Sequence, residues 1–310
     1  MTDPTPVILS LYAMATRFEL ILHGDDPVRL RAAGEEALAE IERLETQLSL
    51  YRPDSEVTWI NSRAGRGPVK VEPRLFRLLR RCADITARTD GAFDITIAPL
   101  VRAWGFAGGP ERVPEPAQLE LARQTVGMHY VQLNAEDFTV RFDRPGVELD
   151  LGAVGKGYAI ERAADLLREN GITSAFLHGG TSTICAIGTT PKQAAWRVAI
   201  RRPTDEDNPL EIVSLRDNSL SVSAIHGKLF SDGVKEYGHV IDPRTGMPVE
   251  DALAAAVIGP SPTDCDALST ALLVLGEPGL PILAERFPGY SGIVAVQAPD
   301  GTVQAVKSAE

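Results

Sequence analysis

Apolar residues recur at the spacing of one helix face in four segments of the chain, and polar residues fill the other positions. The segments are residues 28–49, 73–87, 157–170 and 263–275. Ser261 and Pro262 precede the last segment and Gly276 follows it, while the third segment stops before Gly171. Because Pro is favoured in the first turn of a helix and Gly after its last turn, these residues predict where helices begin and end.

Short apolar runs lie between the helical segments and predict strands. After an opening strand within residues 1–20, they are residues 147–151, 172–178, 184–188, 196–200 and 238–241. Two stretches rich in Pro and charge, 108–118 and 201–209, are predicted surface loops that are too short to be clear domain linkers. We therefore predict one domain over residues 1–310. Because strands often follow one another without a helix between them, the pattern favours an α+β fold.

Composition and charge narrow the classes of function. The 310 residues are 44% hydrophobic and 24% charged, and 31 basic against 42 acidic side chains give a net charge of −11. Such a chain is a poor match for nucleic acid or for an anionic membrane, because both are bound by basic residues. No apolar run is long enough to span a bilayer, and the N-terminus lacks the basic region of a signal peptide. We expect a cytoplasmic protein that neither binds nucleic acid nor inserts into a membrane.

Glycines separate a predicted strand from a predicted helix in ELDLGAVGKGYAIERAADLL, residues 148–167. Gly152, Gly155 and Gly157 allow backbone N–H groups to approach a ligand closely, and the start of a helix adds unpaired donors. Lys156 adds a positive charge. These features predict a phosphate site, although the spacing matches neither the P-loop nor the dinucleotide fingerprint. A tight turn between strand and helix, without a ligand, is the alternative.

Asp266 and Thr270 are four residues apart in SPTDCDALSTALLVLG, residues 261–276, and so share one face of the predicted helix. A carboxylate beside a hydroxyl offers two hard oxygen atoms, which suit Mg²⁺. The alternative is that Thr270 hydrogen-bonds to its own helix and Asp266 is solvated.

Two turn-rich motifs carry further candidates. GHVIDPRTGMP, residues 238–248, combines Asp, Pro and Gly in an order typical of a β-turn and contains His239. In TDGAFDITIAPLVRAWGF, residues 89–106, a turn precedes Phe93 and Asp94, whose carboxylate can accept a hydrogen bond from a heterocycle. An ordinary turn also explains either motif.

In this order, the four motifs resemble those of the ApbE family, the FAD:protein FMN transferases. The segments AMATRFEL (13–20) and LSLYRPDSEV (48–57) resemble the family's opening strand and the segment after its first helix, so the similarity runs from about residue 14 to about residue 276. The resemblance implies a single-domain α+β fold related to the T-fold. It implies binding of FAD and Mg²⁺, cleavage of the FAD pyrophosphate with release of AMP, and attachment of FMN to a Ser or Thr of a target protein.

The resemblance also implies roles for individual residues. Positions that contact FAD in the family match Met14, Tyr51, Ala92, Phe93, Asp94, Asp150, Lys156 and Ile241. Positions that bind the metal match the side chains of Asp266 and Thr270 and the backbone carbonyl of Ala153. His239 is a candidate base for the attacking hydroxyl, because a histidine titrates near neutral pH; a ring packed beside the flavin is the alternative.

One segment departs from the family pattern. Family members often carry an Asn-x-Gly-Gly-Asp stretch where this chain has HGGTSTICAIG, residues 178–188, and Thr183 falls where the acidic residue is expected. The first hypothesis is therefore Mg²⁺-dependent transfer of FMN to a protein acceptor. A pyrophosphatase that hydrolyses FAD to FMN and AMP, and a protein that binds FAD without catalysis, are the alternatives.

Overall fold

A computed structural model describes residues 5–203, 205, 208–225 and 229–308. The helices in this part of the chain are α1 (Pro27–Leu48), α2 (Glu56–Arg63), α3 (Pro73–Arg88), α4 (Ala98–Ala103), α5 (Pro116–Arg123), α6 (Gly155–Glu169), α7 (Pro262–Leu275) and α8 (Gly279–Arg286). The strands are β1 (Val7–Ala13), β2 (Thr16–Leu22), β3 (Val69–Lys70), β4 (Val131–Asn134), β5 (Thr139–Phe142), β6 (Ala175–Gly179), β7 (Thr183–Ile187), β8 (Trp196–Ile200), β9 (Glu211–Leu215), β10 (Asn218–Ala224), β11 (Leu229–Ser231), β12 (Glu236–Gly238), β13 (Ala254–Gly259), β14 (Ser291–Gln297) and β15 (Val303–Lys307).

An eight-stranded antiparallel sheet forms the centre of the fold, in the order β1-β2-β6-β7-β10-β13-β14-β15. Since successive side chains of a strand point to opposite faces, each strand contributes to two layers. One face packs against α1, α6 and α7. On the other face, Trp196 and Leu215 of the β8–β9 hairpin pack on Ala186 and Leu220 of the sheet. The molecule is an α+β protein, which confirms the predicted fold class.

The four predicted helices are present as α1, α3, α6 and α7. The Ser261 side chain caps α7 by accepting a hydrogen bond from the N–H of Asp264, and Gly276 ends the helix with a positive φ of 64°. Gly171, with φ of 73°, follows the end of α6. Both predicted helix ends are therefore confirmed. No helix in the described ranges is both long and apolar enough to cross a bilayer.

Two predicted strands are wrong. Residues 147–151 are extended and alternate in burial, but none of the described strands pairs with them. The Asn61 side chain instead donates to the carbonyl of Leu149 and accepts from its N–H, so a side-chain amide replaces a neighbouring strand. In residues 238–241, β12 ends at Gly238, and Ile241 forms only an isolated bridge with Pro248.

Candidate active site

A main cleft of about 450 Å³ lies beside the start of α6, the middle of α7 and the end of β10. It is lined by most of the residues that the sequence singles out, which are Tyr51, Ala92, Phe93, Asp94, Asp150, Ala153, Lys156, His239, Ile241, Asp266 and Thr270. A side cavity of about 340 Å³ is lined by Met14 and shares Tyr51, Asp150 and Lys156 with the main cleft. All candidate residues therefore border one continuous surface.

Asp266 marks the polar end of the main cleft. Its side chain is nearly fully buried, with 3% of the residue exposed. One carboxylate oxygen accepts a 2.8 Å hydrogen bond from the N–H of Gly157. The other lies 3.2 Å from the hydroxyls of both Thr183 and Ser221. These three donors are neutral, so a bound cation would supply a countercharge that they do not provide.

Gly157 allows α6 and α7 to approach each other at this point. A Cβ atom at residue 157 would overlap the carbonyl oxygen of Pro262 and lie 2.6 Å from the Cβ of Asp266. The sequence pattern predicted a close approach to phosphate for Gly152, Gly155 and Gly157 alike. In the structure, Gly157 instead allows α6 and α7 to pack in close contact.

The remaining predicted metal ligands suit a hard cation. The Thr270 hydroxyl lies 3.3 Å from the Asp266 carbonyl in its own helix and 3.1 Å from the Ser223 hydroxyl, and it also faces the cleft. Ala153 lines the same cleft. Within the described ranges, no three His, Cys, Asp or Glu side chains converge on a point. The predicted donor set of one carboxylate, one hydroxyl and one carbonyl would fit Mg²⁺ if substrate phosphates supplied further ligands.

Lys156 and Asp150 lie where the main cleft meets the side cavity. Lys156 is in the first turn of α6, a helix whose start has no side-chain cap. The Asp150 carboxylate accepts a 2.8 Å hydrogen bond from the N–H of Gly152. Burial raises the pKa of Asp150, while that hydrogen bond and the charge of Lys156 act in the opposite direction. The junction therefore carries one cation and one partly compensated carboxylate.

The apolar end of the main cleft consists of Phe93, Ile97, Val101, Phe106 and Ile241. Behind it, Trp104 packs among Phe230 and Tyr237, and its ring N–H donates a 2.8 Å hydrogen bond to the carbonyl of Gly246. This contact joins the two turn-rich motifs, which are far apart in the sequence. The result is an apolar pocket at this end of the cleft.

Asp94 is buried beside this apolar end, and burial raises its pKa. One of its oxygens accepts from the N–H and hydroxyl of Thr96, at 2.8 and 2.6 Å, and the other accepts from the N–H of Met128 at 3.0 Å. Asp94 therefore holds two loop segments together. Because three donors already contact its carboxylate oxygens, little capacity remains to accept a hydrogen bond from a ligand.

His239 follows β12 directly and lines the main cleft beside Val240 and Ile241. Its residue is partly exposed. The structure thus brings an imidazole to the same surface as Asp266 and Lys156, although these residues come from three separate motifs.

Several lining residues were not singled out from the sequence. Thr181, Ser182 and Ser223 border the main cleft, and Ser221 contacts Asp266 from beneath it. Serines at 219, 221 and 223 share one strand face, so alternation alone gives no reason to choose among them. Thr183 was noted only as a departure from the family pattern, and the structure places it against Asp266.

Comparison with known proteins establishes the family to which the chain belongs. Residues 14–294 match the model of the ApbE family, and the chain belongs to this family. An FAD:protein FMN transferase of Salmonella typhimurium is 32% identical over 282 residues, which cover 88% of this chain and 80% of the relative. A relative of the same name from Treponema pallidum is 32% identical over 292 residues, covering 89% and 80% of the two chains.

The fold agrees with that assignment. The crystal structure of the Pseudomonas stutzeri flavinyl transferase ApbE in its apo form superposes with a TM-score of 0.85 at 28% identity, covering 97% of this chain and 94% of the other. An ApbE protein from Thermotoga maritima superposes with a TM-score of 0.87 at 25% identity, covering 96% of each chain.

Proposed function

We propose that this protein transfers FMN from FAD to a Ser or Thr hydroxyl of a target protein, with Mg²⁺ as cofactor and AMP as second product. The observation that carries the proposal is the joining of the main cleft and the side cavity at Asp150 and Lys156. FAD likewise has two ring systems joined by a pyrophosphate. Membership of a family whose curated relatives are named FAD:protein FMN transferase supports the same activity.

The proposed reaction is a phosphoryl-type transfer in which positioning and charge stabilisation do most of the work. The acceptor hydroxyl attacks the phosphorus of the FMN half, the bond from that phosphorus to the bridging oxygen breaks, and AMP leaves with the oxygen. His239 takes the proton of the hydroxyl. Lys156 and the first turn of α6 bind the negative oxygens, and the apolar end of the main cleft fixes the flavin ring.

Asp266, Thr270 and the carbonyl of Ala153 would hold Mg²⁺. The cation supplies Lewis-acid polarisation of phosphate oxygens when it is bound. Support comes from the buried carboxylate of Asp266, whose hydrogen-bond donors are a backbone N–H and two hydroxyls.

The test is incubation of the purified protein with FAD, Mg²⁺ and a Ser-containing acceptor peptide, followed by mass spectrometry of the peptide and the nucleotides. We expect a peptide heavier by one FMN moiety and an equal amount of AMP, both dependent on the cation. A matched peptide with Ala in place of Ser is the control. AMP and free FMN in amounts unaffected by the acceptor indicate hydrolysis, whereas intact FAD with every acceptor and cation tested contradicts catalysis.

The role of His239 is tested separately with His239→Gln, which keeps a polar side chain of similar size. We expect the transfer rate to fall about 10²-fold, with FAD binding retained, because a positioned base contributes on this scale. An unchanged rate would leave the alternative of a ring that only packs beside the flavin.

A further inference from the structure

Thr183 and Ser221 form a directly opposed pair on neighbouring strands. They are register partners in the antiparallel pairing of β7 with β10. Both are completely buried on the face of the sheet that packs on α7, and their hydroxyl oxygens lie 3.0 Å apart. Each hydroxyl also lies 3.2 Å from the same Asp266 oxygen. Three side chains from three elements therefore meet at the buried end of the main cleft, where the two hydroxyls are closed off from solvent.

The serines of β10 match the spacing of the two side-chain ligands on α7. Ser221 contacts Asp266, and Ser223 lies 3.1 Å from the hydroxyl of Thr270. Two residues along a strand span about 7 Å, and four residues along a helix rise about 6 Å. The spacing of Ser221 and Ser223 along β10 therefore matches the spacing of Asp266 and Thr270 along α7, and one serine hydroxyl lies beside each proposed side-chain ligand.

The available protons determine how these hydroxyls act. The Ser221 hydroxyl has one proton to donate. Besides Thr183, its possible acceptors are the Ser182 carbonyl, at 3.1 Å, and the Asp266 carboxylate. Among the described residues, the Thr183 hydroxyl has Asp266 and Ser221 as its possible acceptors. When Ser221 donates to the Ser182 carbonyl, the proton of Thr183 is free for Asp266. The hydroxyls orient the carboxylate, and because they are neutral they leave its charge for a ligand.

We propose that Thr183 and Ser221 are positioning residues that hold the Asp266 carboxylate in the orientation required to bind the cation. The inference rests on the proposed function, because it takes Asp266 as a ligand of Mg²⁺. It assigns the two hydroxyls to cation binding and not to FAD binding. Hydrogen-bonded partners of metal ligands typically change metal affinity 10- to 100-fold when they are removed.

The chain offers closely matched variants. Thr183→Val removes the hydroxyl and keeps the branched shape, while Thr183→Ser keeps the hydroxyl. Ser221→Ala removes the second hydroxyl. Ser219→Ala is the control, because Ser219 is equally buried on the same strand face and its hydroxyl has no hydrogen-bond partner among the described residues. Asp266→Ala serves as the reference for complete loss of the site.

The experiment measures binding of Mn²⁺, as a paramagnetic probe, from the electron paramagnetic resonance signal of the free ion, with and without FAD. We expect Thr183→Val and Ser221→Ala to weaken Mn²⁺ binding about 10- to 100-fold and Thr183→Ser and Ser219→Ala to change it less than about 3-fold. Binding of FAD without a cation and the thermal midpoint of each variant show that the fold is retained.

The outcomes separate the two proposals. Mn²⁺ binding that is lost in Asp266→Ala but unchanged in Thr183→Val and Ser221→Ala overturns the positioning role and leaves the proposed metal site intact. Equal weakening in Ser219→Ala also overturns it, since the effect would then be general to the strand. A protein that binds no Mn²⁺ in either condition overturns both the positioning role and the cation in the proposed function.

Discussion

The polar end of the main cleft at Asp266 and its apolar end at Ile241 are built in different ways. At the polar end, paired strands of the central sheet support α7, and α6 and α7 touch through Gly157. Arg81 of α3 strengthens this contact from outside by ion pairs with Glu161 of α6 and Asp264 of α7. Strand pairing and helix packing therefore fix the positions of the polar side chains around Asp266.

The apolar end depends on turns and on a few long-range hydrogen bonds. The bond from Trp104 to Gly246 and the bonds accepted by Asp94 hold the segments that form it. Apolar contacts with a bound ring tolerate small shifts of the side chains, whereas stabilisation of charge in the transition state depends on the exact positions of the polar groups. The difference suggests that changes at the polar end act mainly on the chemical step and that changes at the apolar end act mainly on FAD affinity.

The largest effect is expected from Asp266→Ala. Removal of the carboxylate should lower kcat by at least about 10³-fold and change the Kd for FAD by less than about 3-fold, because charge stabilisation matters most in the transition state. Asp266→Asn, which keeps an acceptor for the N–H of Gly157, should lose as much activity. Steady-state rates and fluorescence titration with FAD measure the two quantities. Equal loss of affinity and rate would contradict the division between the two ends.

Gly157→Ala tests the contact between α6 and α7. The added methyl group has no space, and overpacking of this kind costs about 1–3 kcal/mol in the free energy of unfolding. Gly155→Ala is the control in the same helix, since apart from the adjacent backbone no described atom lies within 4 Å of its added Cβ, and it should not lower the stability. Denaturant unfolding of both variants provides the measurement, and equal stabilities would show that the helices can move apart freely.

Ile241→Ala sharpens the comparison from the apolar side. Loss of buried apolar surface should weaken FAD binding about 10-fold, while kcat at saturating FAD stays within about 3-fold of its original value. Titration of flavin fluorescence and initial rates test the two statements. A fall in kcat as large as that of Asp266→Ala would show that the apolar end also governs the chemical step.

Asp150→Asn should give the smallest effect, and the size of this effect on stability depends on pH. Burial raises the pKa of Asp150 in the folded protein, so ionisation of this group opposes folding. The stabilising contribution of the protonated form is complete below the ordinary pKa of about 4 and is lost as pH rises through the folded-state pKa. The variant should therefore be more stable than the original protein at neutral pH and equally stable at about pH 3.

Unfolding measured at both pH values checks this prediction. A variant that is less stable at neutral pH would mean that the N–H of Gly152 and the charge of Lys156 outweigh the cost of burial at Asp150.

Local sequence pattern predicted the long elements well and the short ones poorly. The helices α1, α3, α6 and α7 have several turns, so their periodicity is evident. The shorter helices α2, α4, α5 and α8 were missed, because each has only six or eight residues and completes about two turns. Residues 147–151 were assigned to a strand because alternation reports an extended backbone but not what pairs with it.

The sequence by itself determined the α+β class, the family, and many of the residues around the cleft, since these depend on motifs and their order. Only the tertiary structure decided which groups meet. It brought Thr183 and Ser221 to Asp266, gave Gly157 its role between two helices, and used the carboxylate of Asp94 to hold loops. The physical reason is that hydrogen bonds and close contacts depend on strand register and helix packing, and these join residues that no local pattern relates.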